Sequence, residues 1–253
     1  MYMLSIIIIT KNEAEHITRC LESISWADEI IVLDSGSTDN TVSLCRHYTP
    51  LVYETDWPGF GVQKQRALDK ATGDWVLSID ADEQVTDSLK KEIQQAMLRD
   101  DVQGYEIPRL SSYCGKPIKH GGWWPDYVLR LFKRQAGHFS PDLVHERILV
   151  DGTIQKLHFP LLHEAFVNPE EVLDKINRYS SLGAQKMFEQ GKSTHLSTAI
   201  LKGFWAFFRT YFVKGAFLDG AQGLMLAISN GEGTYYKYLK LWDLLRKQRK
   251  QQG

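Results

Sequence analysis

The feature that most constrains the fold lies in the first hundred residues, where short apolar runs alternate four times with amphipathic segments. The apolar runs read MLSIIIIT, EIIVLD, LVYETD and DWVLSID. The segment after the first run places four apolar residues at the spacing of one helix face: Ile17, Cys20, Leu21 and Ile24. Four β-α units in succession predict a parallel, doubly wound α/β sheet with helices on both faces.

Polar residues follow each of these runs at the point where a strand would end. They are Thr10, Asp34, Asp56 and Asp80, and Asp82 comes two residues after the last of them. Ligands of such sheets bind at the carboxyl ends of the strands. Side chains at i and i+2 of an extended chain share a face, and two carboxylates that close repel unless a cation lies between them. The pair Asp80 and Asp82 therefore predicts a Mg²⁺ or Mn²⁺ site.

Two earlier polar loops, TKNEAEHI and DSGSTDNT, have two readings. Helix capping by itself explains the first loop, and it explains Thr38 and Asp39 of the second. It does not explain Asp34, whose carboxylate is suited to accept hydrogen bonds from ribose hydroxyls or from a base. We therefore interpret the second loop as part of a nucleotide site.

In the second half of the chain the alternating strand and helix pattern ends. Short strand-like pieces run from about residue 103, and a helix then begins at Asn168 and Pro169, with Glu171 at the capping-box position and Gly191 as its terminator. We predict one domain over 1–166, with a first half of about 1–100 and a second half of about 101–166, and a helical C-terminal extension over 167–253.

Composition narrows the function. A formal net charge of -1 gives no general attraction to nucleic acid. Three widely spaced cysteines favour a reducing, cytoplasmic setting over a disulfide framework. The N-terminus lacks the features of a signal peptide, and no uncharged apolar run reaches the roughly 18 residues of a membrane span. We expect a cytoplasmic protein.

Taken together, SIIIITKNE, DSGSTD and SIDADE resemble the family 2 glycosyltransferases, whose GT-A fold has a mixed, mainly parallel central sheet. The resemblance covers roughly residues 3–165 and implies inverting transfer from a nucleotide-diphosphate sugar. It implies a catalytic domain over 1–166, with a nucleotide-sugar half at about 1–100 and an acceptor half at about 101–166. It implies a metal at Asp80 and Asp82. It also implies that the nucleotide sugar is bound by Thr10, Asn12, Glu13, Asp34, Ser35, Gly36, Gln65, Asp80 and Ala81.

A narrower resemblance comes from the motifs RLFKR, VHERI, PLLHEAF and YFVKGAFLDGAQGL. They are similar to those of bacterial lipopolysaccharide inner-core β-glucosyltransferases, which add glucose to heptose. This implies UDP-glucose as donor and a lipid-linked acceptor. Sister enzymes with other acceptors share the late motifs, so another bacterial glycan or lipid-linked acceptor stays open as an alternative.

Residues after the metal motif are expected to serve the acceptor. The aromatic loop HGGWWPDY predicts a lid whose tryptophans stack on sugar rings, and the predicted acceptor residues are Trp123, Trp124, Asp126 and Arg130. His163, at a loop after an apolar run, is predicted as a third metal ligand. The alternatives for His163 are a phosphate contact and a structural histidine.

Glu146, in SPDLVHERI, is predicted as the catalytic base that deprotonates the acceptor hydroxyl. A salt bridge with Arg147 or Arg130 is its alternative role. Asp126 and Glu164 are the other candidates for the base.

The C-terminal extension carries an apolar face and a basic tail. The face comprises Ile200, Leu201, Phe204, Trp205, Phe207, Phe208, Tyr211 and Phe212, and the tail comprises Lys237, Lys240, Arg246, Lys247, Arg249 and Lys250. One interpretation is a packed core with a solvated helix end. The other is peripheral attachment to an anionic leaflet on the cytoplasmic face of a membrane.

Rival functions lack their motifs. No strand is followed by GxGxxG, no P-loop is present, and HERIL and HEAFV lack the second histidine of HExxH. A phosphohydrolase with Asp80 as nucleophile would place that strand first in the domain, whereas here it is fourth. A non-catalytic nucleotide-sugar or glycan-binding protein remains the alternative of another class.

Overall fold

The computed structural model describes residues 2–140 and 147–252. The strands are β1 (Leu4–Thr10), β2 (Glu29–Asp34), β3 (Val52–Glu54), β4 (Trp75–Asp80), β5 (Glu83–Val85), β6 (Gly104–Tyr113), β7 (Lys116–Pro117), β8 (Asp126–Lys133), β9 (Gly137–Phe139), β10 (Ile148–Val150), β11 (Ile154–Lys156) and β12 (Leu161–Phe166). The helices are α1 (Ile17–Ile24), α2 (Thr41–Arg46), α3 (Phe60–Leu68), α4 (Asp87–Ala96), α5 (Pro169–Glu189), α6 (Leu196–Phe208) and α7 (Gly220–Gln252).

The chain divides into two compact units. The first takes its described residues from 1–109 and 126–163, and the second from 110–125 and 164–253. The sequence-based division treated 101–166 as one acceptor half, whereas in the structure the stretch 110–125 groups with the C-terminal helices. Strands β6 and β12 each begin in the first unit and end in the second.

The first unit is built on a mixed sheet in the order β3-β2-β1-β4-β8-β6-β12-β5. Strands β3, β2, β1 and β4 run parallel, and β8 then pairs antiparallel with β4. Each parallel strand is followed by the helix that the sequence pattern predicted. The predicted α/β class, with a mixed central sheet and a helical C-terminal part, is confirmed.

Burial explains why the middle of β1 is apolar. Ile6 and Ile8 point into the core that holds α1 and α4, and Ile7 points to the opposite side, where α3 packs. A central parallel strand is covered on both faces, so both sets of alternate side chains must be apolar. The polar residues of β1 therefore lie near its two ends, at Ser5, which bonds to Glu29 and Gly73, and at Thr10 at the carboxyl end.

The second unit consists of α5, α6 and α7 with the 110–125 segment. Asn168 caps α5 by accepting a hydrogen bond from Glu171 N at 2.9 Å, and Glu171 Oε2 accepts one from Val167 N at 3.0 Å. Asp219 accepts hydrogen bonds from His120 N at 2.8 Å and from His120 Nδ1 at 3.0 Å, which ties the segment to the start of α7. In the described part of the chain, no helix combines the length and apolar character that crossing a membrane requires.

Candidate active site

The loops that follow β1 and β2 are organised around Asp34. Its side chain is 1% exposed, and Oδ1 accepts hydrogen bonds from Gly36 N at 2.9 Å and Ser37 N at 2.8 Å. Oδ2 accepts from Thr10 Oγ1 at 3.0 Å and from Ser37 Oγ. A carboxylate has about four acceptor positions. All of this capacity is used inside the protein, so the structure shows Asp34 shaping the loop.

Asn12 joins the two loops. Its backbone N–H donates to Ser37 Oγ at 2.8 Å, and its Oδ1 accepts from Thr38 N at 2.8 Å. Asn12 has a φ of 56° and Gly36 a φ of 82°, a left-handed region that asparagine tolerates and glycine favours. The two polar loops therefore form one bonded surface at the carboxyl ends of β1 and β2.

Helix α3 supports the same end of the sheet with buried polar residues. Gln63 is fully buried and donates to Ser35 Oγ at 3.0 Å and to Thr55 Oγ1. Gln65, predicted to bind the nucleotide sugar, accepts a hydrogen bond from Phe139 N at 2.9 Å and donates to Asp69 at 2.8 Å. Gln65 is thus engaged in linking α3 to β9.

Asp80, at the end of β4, lies between two cations. Lys64 Nζ is 2.9 Å from its Oδ1, and Arg130 Nη2 is 2.6 Å from its Oδ2. Arg130 Nη2 is also 2.7 Å from Glu83 Oε1, and Glu83 Oε2 accepts from Asp80 N at 2.9 Å. Arg130 was expected to contact the acceptor. In the structure its guanidinium is buried and forms ion pairs with Asp80 and Glu83.

These contacts move the two carboxyl pKa values in opposite directions. Burial alone would raise the pKa of Asp80, but the charges of Arg130 and Lys64 outweigh it and hold that pKa well below its usual range. Burial raises the pKa of Glu83, and Asp80 adds to the rise although Arg130 opposes it. Asp80 is therefore a fixed negative charge in the resting site.

Asp82 and His163 meet beside this cluster. The antiparallel pairing of β12 with β5 places His163 opposite Glu83, and its Nε2 lies 3.4 Å from Asp82 Oδ2. Both side chains are partly exposed, at 17% for His163 and 29% for Asp82. A site can therefore be approached from solvent at this pair.

The metal site predicted at Asp80, Asp82 and His163 stays a prediction. In the structure both oxygens of Asp80 are ion-paired, Oδ1 with Lys64 and Oδ2 with Arg130. Within the described ranges, no three His, Cys, Asp or Glu side chains are placed to hold a metal ion together. Asp82 and His163 offer one carboxylate and one imidazole, which fit a metal whose other ligands come from phosphate oxygens or water.

Glu13 lies in the loop after β1, and the negative charges of Asp82 and Asp80 act on its carboxyl group. Burial, followed by the charge of Asp82, raises the pKa of Glu13 to about 7. The carboxyl is half-buried and would gain from a nearby cation. Ala81, another predicted nucleotide contact, has its side chain buried in the core, so that only its backbone can serve a ligand.

The predicted acceptor residues fall in both units. In the second, Trp123 packs against Phe166, with ring centroids 6.0 Å apart, and against Tyr113 at 5.8 Å; Trp124 is partly buried. In the first, Asp126 accepts from Arg109 Nε at 3.0 Å and Nη2 at 2.7 Å. The ring contacts make Trp123 part of a packed aromatic cluster.

Glu146, the predicted catalytic base, lies outside the described residues.

Sequence reasoning missed two residues of the Asp80 cluster, Lys64 and Glu83, which are almost completely buried although both are charged. It also missed the buried Gln63, which bonds to Ser35 and Thr55. The only signal was the run VQKQRAL, in which polar residues occupy positions that face the sheet. A charged residue at a buried helical position indicates a partner of opposite charge, which the sequence alone does not identify.

Comparison with known proteins decides the family. The model of the family described as Glycosyl transferase family 2 matches residues 5–147, more than half of the chain. The chain belongs to the family 2 glycosyltransferases. The match contains the loops after β1 and β2, the Asp80 cluster and Asp82. This glycosyltransferase therefore carries its bonded loop surface and acidic cluster within the family's own region.

Relatives cover almost the whole enzyme. The lipopolysaccharide core biosynthesis glycosyltransferase LpsC of Rhizobium meliloti (strain 1021) is 31% identical over 250 residues, covering 93% of this chain and 89% of that protein. An uncharacterised glycosyltransferase of Rickettsia prowazekii is 29% identical over 257 residues, covering 96% of this chain and 88% of that one. The similarity to these two proteins therefore includes the C-terminal helices.

Among solved structures, the enzyme resembles the mannosyltransferase PcManGT from Pyrobaculum calidifontis in complex with GDP-Man and Mn²⁺. The TM-score is 0.48 at 18% identity, with 92% of this chain and 74% of that chain covered. S. aureus TarS residues 1–349 give a TM-score of 0.48 at 15% identity, with 97% and 92% covered. These likenesses are too distant to bear on ligand or activity.

Proposed function

We propose that this glycosyltransferase moves glucose from UDP-glucose to a heptose of a lipid-linked lipopolysaccharide inner-core acceptor, with inversion to a β linkage. The observation that carries the transfer chemistry is the pair Asp82 and His163, 3.4 Å apart beside the ion-paired Asp80. The relative LpsC, named for lipopolysaccharide core biosynthesis, supports the acceptor class. The choice of UDP-glucose and heptose rests on the resemblance of the C-terminal motifs.

Mg²⁺ or Mn²⁺ is the cofactor of this proposal, held by Asp82 and His163. A metal there would stabilise the charge that grows on the diphosphate as the glycosidic bond breaks. Both ions accept a carboxylate together with phosphate oxygens or water as ligands. Asp80 acts by orienting Lys64 and Arg130, whose positive charges lie under the same edge of the sheet.

The experiment is a transfer assay with UDP-glucose, Mn²⁺ and a heptose-terminated lipid acceptor, comparing Asp82→Asn with Asp56→Asn. Asp56 is the matched control because it also follows a parallel strand, yet it is exposed and paired with Arg66 at 2.7 Å. We expect Asp82→Asn to lose metal-dependent donor binding and turnover, and Asp56→Asn to keep both. Near-normal turnover of Asp82→Asn with metal present would contradict the metal assignment.

The transfer assay, with binding and phosphatase measurements on the same protein, separates the alternative functions. Transfer to a different bacterial glycan, with the heptose acceptor inert, would keep the enzyme class and change the acceptor. Metal-dependent binding of UDP-glucose with neither hydrolysis nor transfer would indicate a nucleotide-sugar-binding protein. Phosphate release from phosphomonoesters would indicate a phosphohydrolase.

The catalytic base of the proposal is Glu146. The change Glu146→Gln keeps the size of the side chain but removes its ability to take the proton from the acceptor hydroxyl. We expect donor binding to stay near normal and transfer to fall by about 10²- to 10⁴-fold. Retention of about a tenth of the wild-type rate would move the base to Asp126, which is paired with Arg109, or to Glu164.

We further propose that the second unit attaches to the cytoplasmic face of an anionic membrane, where a lipid-linked acceptor would lie. Between Leu196 and Leu218, large apolar side chains stay exposed, including Leu201 at 68%, Phe204 at 68% and Trp205 at 54%. The same stretch contains three basic residues, Lys202, Arg209 and Lys214, and no acidic one. An exposed apolar surface interspersed with basic residues is typical of interfacial binding.

Vesicle cosedimentation tests this attachment. We expect binding to vesicles that contain anionic lipid, weakening as salt rises, and loss of binding in the double variant Phe204→Ser, Trp205→Ser. Leu98→Ser, which changes a 66% exposed leucine outside this surface, is the control and should bind normally. A concentration-dependent dimer that the double variant abolishes, without vesicle binding, would assign the surface to self-association instead.

A further inference from the structure

A cavity of about 280 Å³ lies wholly within the second unit, between α5, α7 and the aromatic residues that precede them. Its volume is at the lower end of small-molecule pockets, which run from about 300 to 1,000 Å³. The size suits a ligand of one ring better than a nucleotide. None of the residues assigned above to the metal or the nucleotide lines it.

One wall of the cavity is aromatic. Tyr113, Trp123 and Phe166 are packed together, with ring centroids 5.3 to 6.0 Å apart. Trp123 and Phe166 are stacked at 25°, and Tyr113 is inclined to them by 63° and 54°. The apolar face of an indole ring matches the C–H face of a pyranose ring. Trp123 is the residue that the sequence analysis expected to contact a sugar.

The facing wall, on α7, is polar. Ser229, Asn230 and Thr234 line it at positions where a helix packed on its neighbours would ordinarily carry apolar side chains. Ser229 shares a hydrogen bond of 2.6 Å with the Tyr113 hydroxyl, and Asn230 Nδ2 donates to Thr210 Oγ1 at 3.2 Å. The Asn230 carbonyl oxygen and the Thr234 hydroxyl have no partner in the part of the chain that the structure describes.

The charge of the cavity is positive. Lys175 lies 4.5 Å from the Phe166 ring and donates to Ala165 O at 2.8 Å. Lys237 makes no hydrogen bond or ion pair with any described residue, and its only close charge contact is the Tyr238 ring at 5.5 Å. The described lining includes no aspartate or glutamate. Two cations without a carboxylate favour an anionic ligand.

We propose that this cavity binds one sugar ring that carries a carboxylate or a phosphate, with the ring on Trp123 and the anion at Lys237 and Lys175. Hydroxyls of the sugar bond to Asn230 and Thr234. Its use as a subsite for the acceptor rests on the proposed glycosyl transfer, whereas the binding itself does not. The cavity would then bind a sugar of the acceptor other than the sugar that is glycosylated.

Saturation-transfer NMR on the full chain tests the binding of glucuronate, glucose 6-phosphate and glucose, and the affinity of inorganic phosphate is measured by its competition with glucose 6-phosphate. We expect ring-proton saturation for at least one anionic sugar and about tenfold weaker binding of glucose, because a charge-assisted hydrogen bond is lost. A preference between the two anionic sugars tells carboxylate from phosphate. Inorganic phosphate that binds as tightly as glucose 6-phosphate would show a plain anion site and overturn the proposal.

Variants locate the ligand. Lys237→Met should weaken the anionic sugar about tenfold, and Lys186→Met, an exposed lysine of α5 outside the cavity, should not. Thr234→Val keeps the shape of the side chain and should weaken binding while leaving the melting temperature unchanged. Equal binding by wild type, Lys237→Met and Thr234→Val would overturn the proposal.

The wild-type protein separates this inference from the proposed function. Metal-dependent UDP-glucose binding is measured on the same sample as anionic-sugar binding. Sugar binding without UDP-glucose binding would leave the cavity assignment standing and remove its role in glucosyl transfer. UDP-glucose turnover without any anionic-sugar binding would leave the transferase proposal standing and overturn this one.

Discussion

At the scale of single residues, Arg130 is the group on which two buried carboxylates depend. Glu83 is fully buried and touches Arg130 at 2.7 Å. Removing one partner of a buried ion pair leaves the other charge unpaired, which costs about 3–5 kcal/mol. We expect Arg130→Met to lower the free energy of unfolding by about that amount in urea denaturation at neutral pH.

The loss in Arg130→Met should depend on pH. The pKa of Glu83 is already raised in the folded protein, and without Arg130 it rises further. Stability of the variant therefore falls as pH increases through that pKa, because the folded state holds a proton that the unfolded state has released. Arg66→Met, which removes an exposed partner of Asp56, is the control and should change little at any pH. Similar losses in both variants would contradict a buried network.

Glu13 gives a second pH prediction. Its pKa is raised to about 7 in the folded protein from an ordinary 4.5, so its protonated form is favoured by folding and stability is lost as pH rises between these values. Glu13→Gln imitates the protonated form. In EDTA, its melting temperature should exceed that of wild type by a few degrees at about pH 8 and match it at about pH 4. An equal difference at both pH values would contradict the assigned cause.

Residue types near strand ends were predictable, and their partners were not. Asp34, Asp80 and Asp82 stood out in the sequence because carboxylates rarely end buried strands. That Asp80 is held by Lys64 and Arg130 depends on packing between residues 16 and 50 positions apart. No local pattern encodes such pairings, and for this reason Arg130 was predicted on the acceptor side.

At the scale of elements, α6 and α7 approach each other through glycine. A Cβ at Gly203 would lie 2.9 Å from Tyr235 Cβ and 3.1 Å from Gly231 O, so a methyl group there requires the helices to separate. At Gly233 a Cβ would lie 4.0 Å from Ile176 Cγ1, an ordinary contact. The two positions are therefore a matched test of packing against helix propensity.

We expect Gly203→Ala to lower stability by about 1–3 kcal/mol through overpacking. Gly233→Ala should raise it by about 0.5–1 kcal/mol, because alanine loses less conformational entropy in a helix. Thermal unfolding of the two variants beside wild type measures both effects. A gain in Gly203→Ala would show that α6 and α7 can move apart without cost.

The elements themselves follow from local pattern, but one pairing does not. The sequence predicted the first four strands and helices because each has a periodicity of its own. Strand β5 has only three residues, and its pairing with β12 joins positions nearly 80 residues apart. This pairing places His163 beside Asp82. The sequence could therefore single out His163 as a candidate ligand, whereas its contact with Asp82 depends on a long-range register that no local period encodes.

At the scale of the whole molecule, the alternating pattern of the first hundred residues allowed the fold class to be predicted. The later sequence showed only that short strands and then helices replace this pattern. The division at residue 166 followed the start of α5, a strong local signal. The 110–125 segment groups with the helices because Asp219 bonds to His120 and Ser229 bonds to Tyr113. These contacts span about a hundred residues, beyond any sequence period.

Ligand linkage provides the last prediction, for the stability of the whole chain. A ligand that binds only the folded protein stabilises it by RT ln(1 + [L]/Kd), about 2.7 kcal/mol at a hundredfold excess over Kd. We expect UDP with Mn²⁺ to raise the melting temperature by several degrees, and UDP in EDTA to raise it far less, because in the proposed site a metal at Asp82 and His163 holds the diphosphate. GDP with Mn²⁺ serves as the comparison for the base.

Variants assign the shift to the site. Asp82→Asn should lose the metal-dependent part of the stabilisation, since the carboxylate that would hold the metal is gone, while Asp56→Asn should keep it. An equal rise with UDP in EDTA would mean that Lys64 and Arg130 hold the diphosphate without a metal, in keeping with the two cations already bound to Asp80. A larger rise in melting temperature with GDP than with UDP would indicate a guanosine rather than a uridine donor and would leave the proposed metal site unchanged.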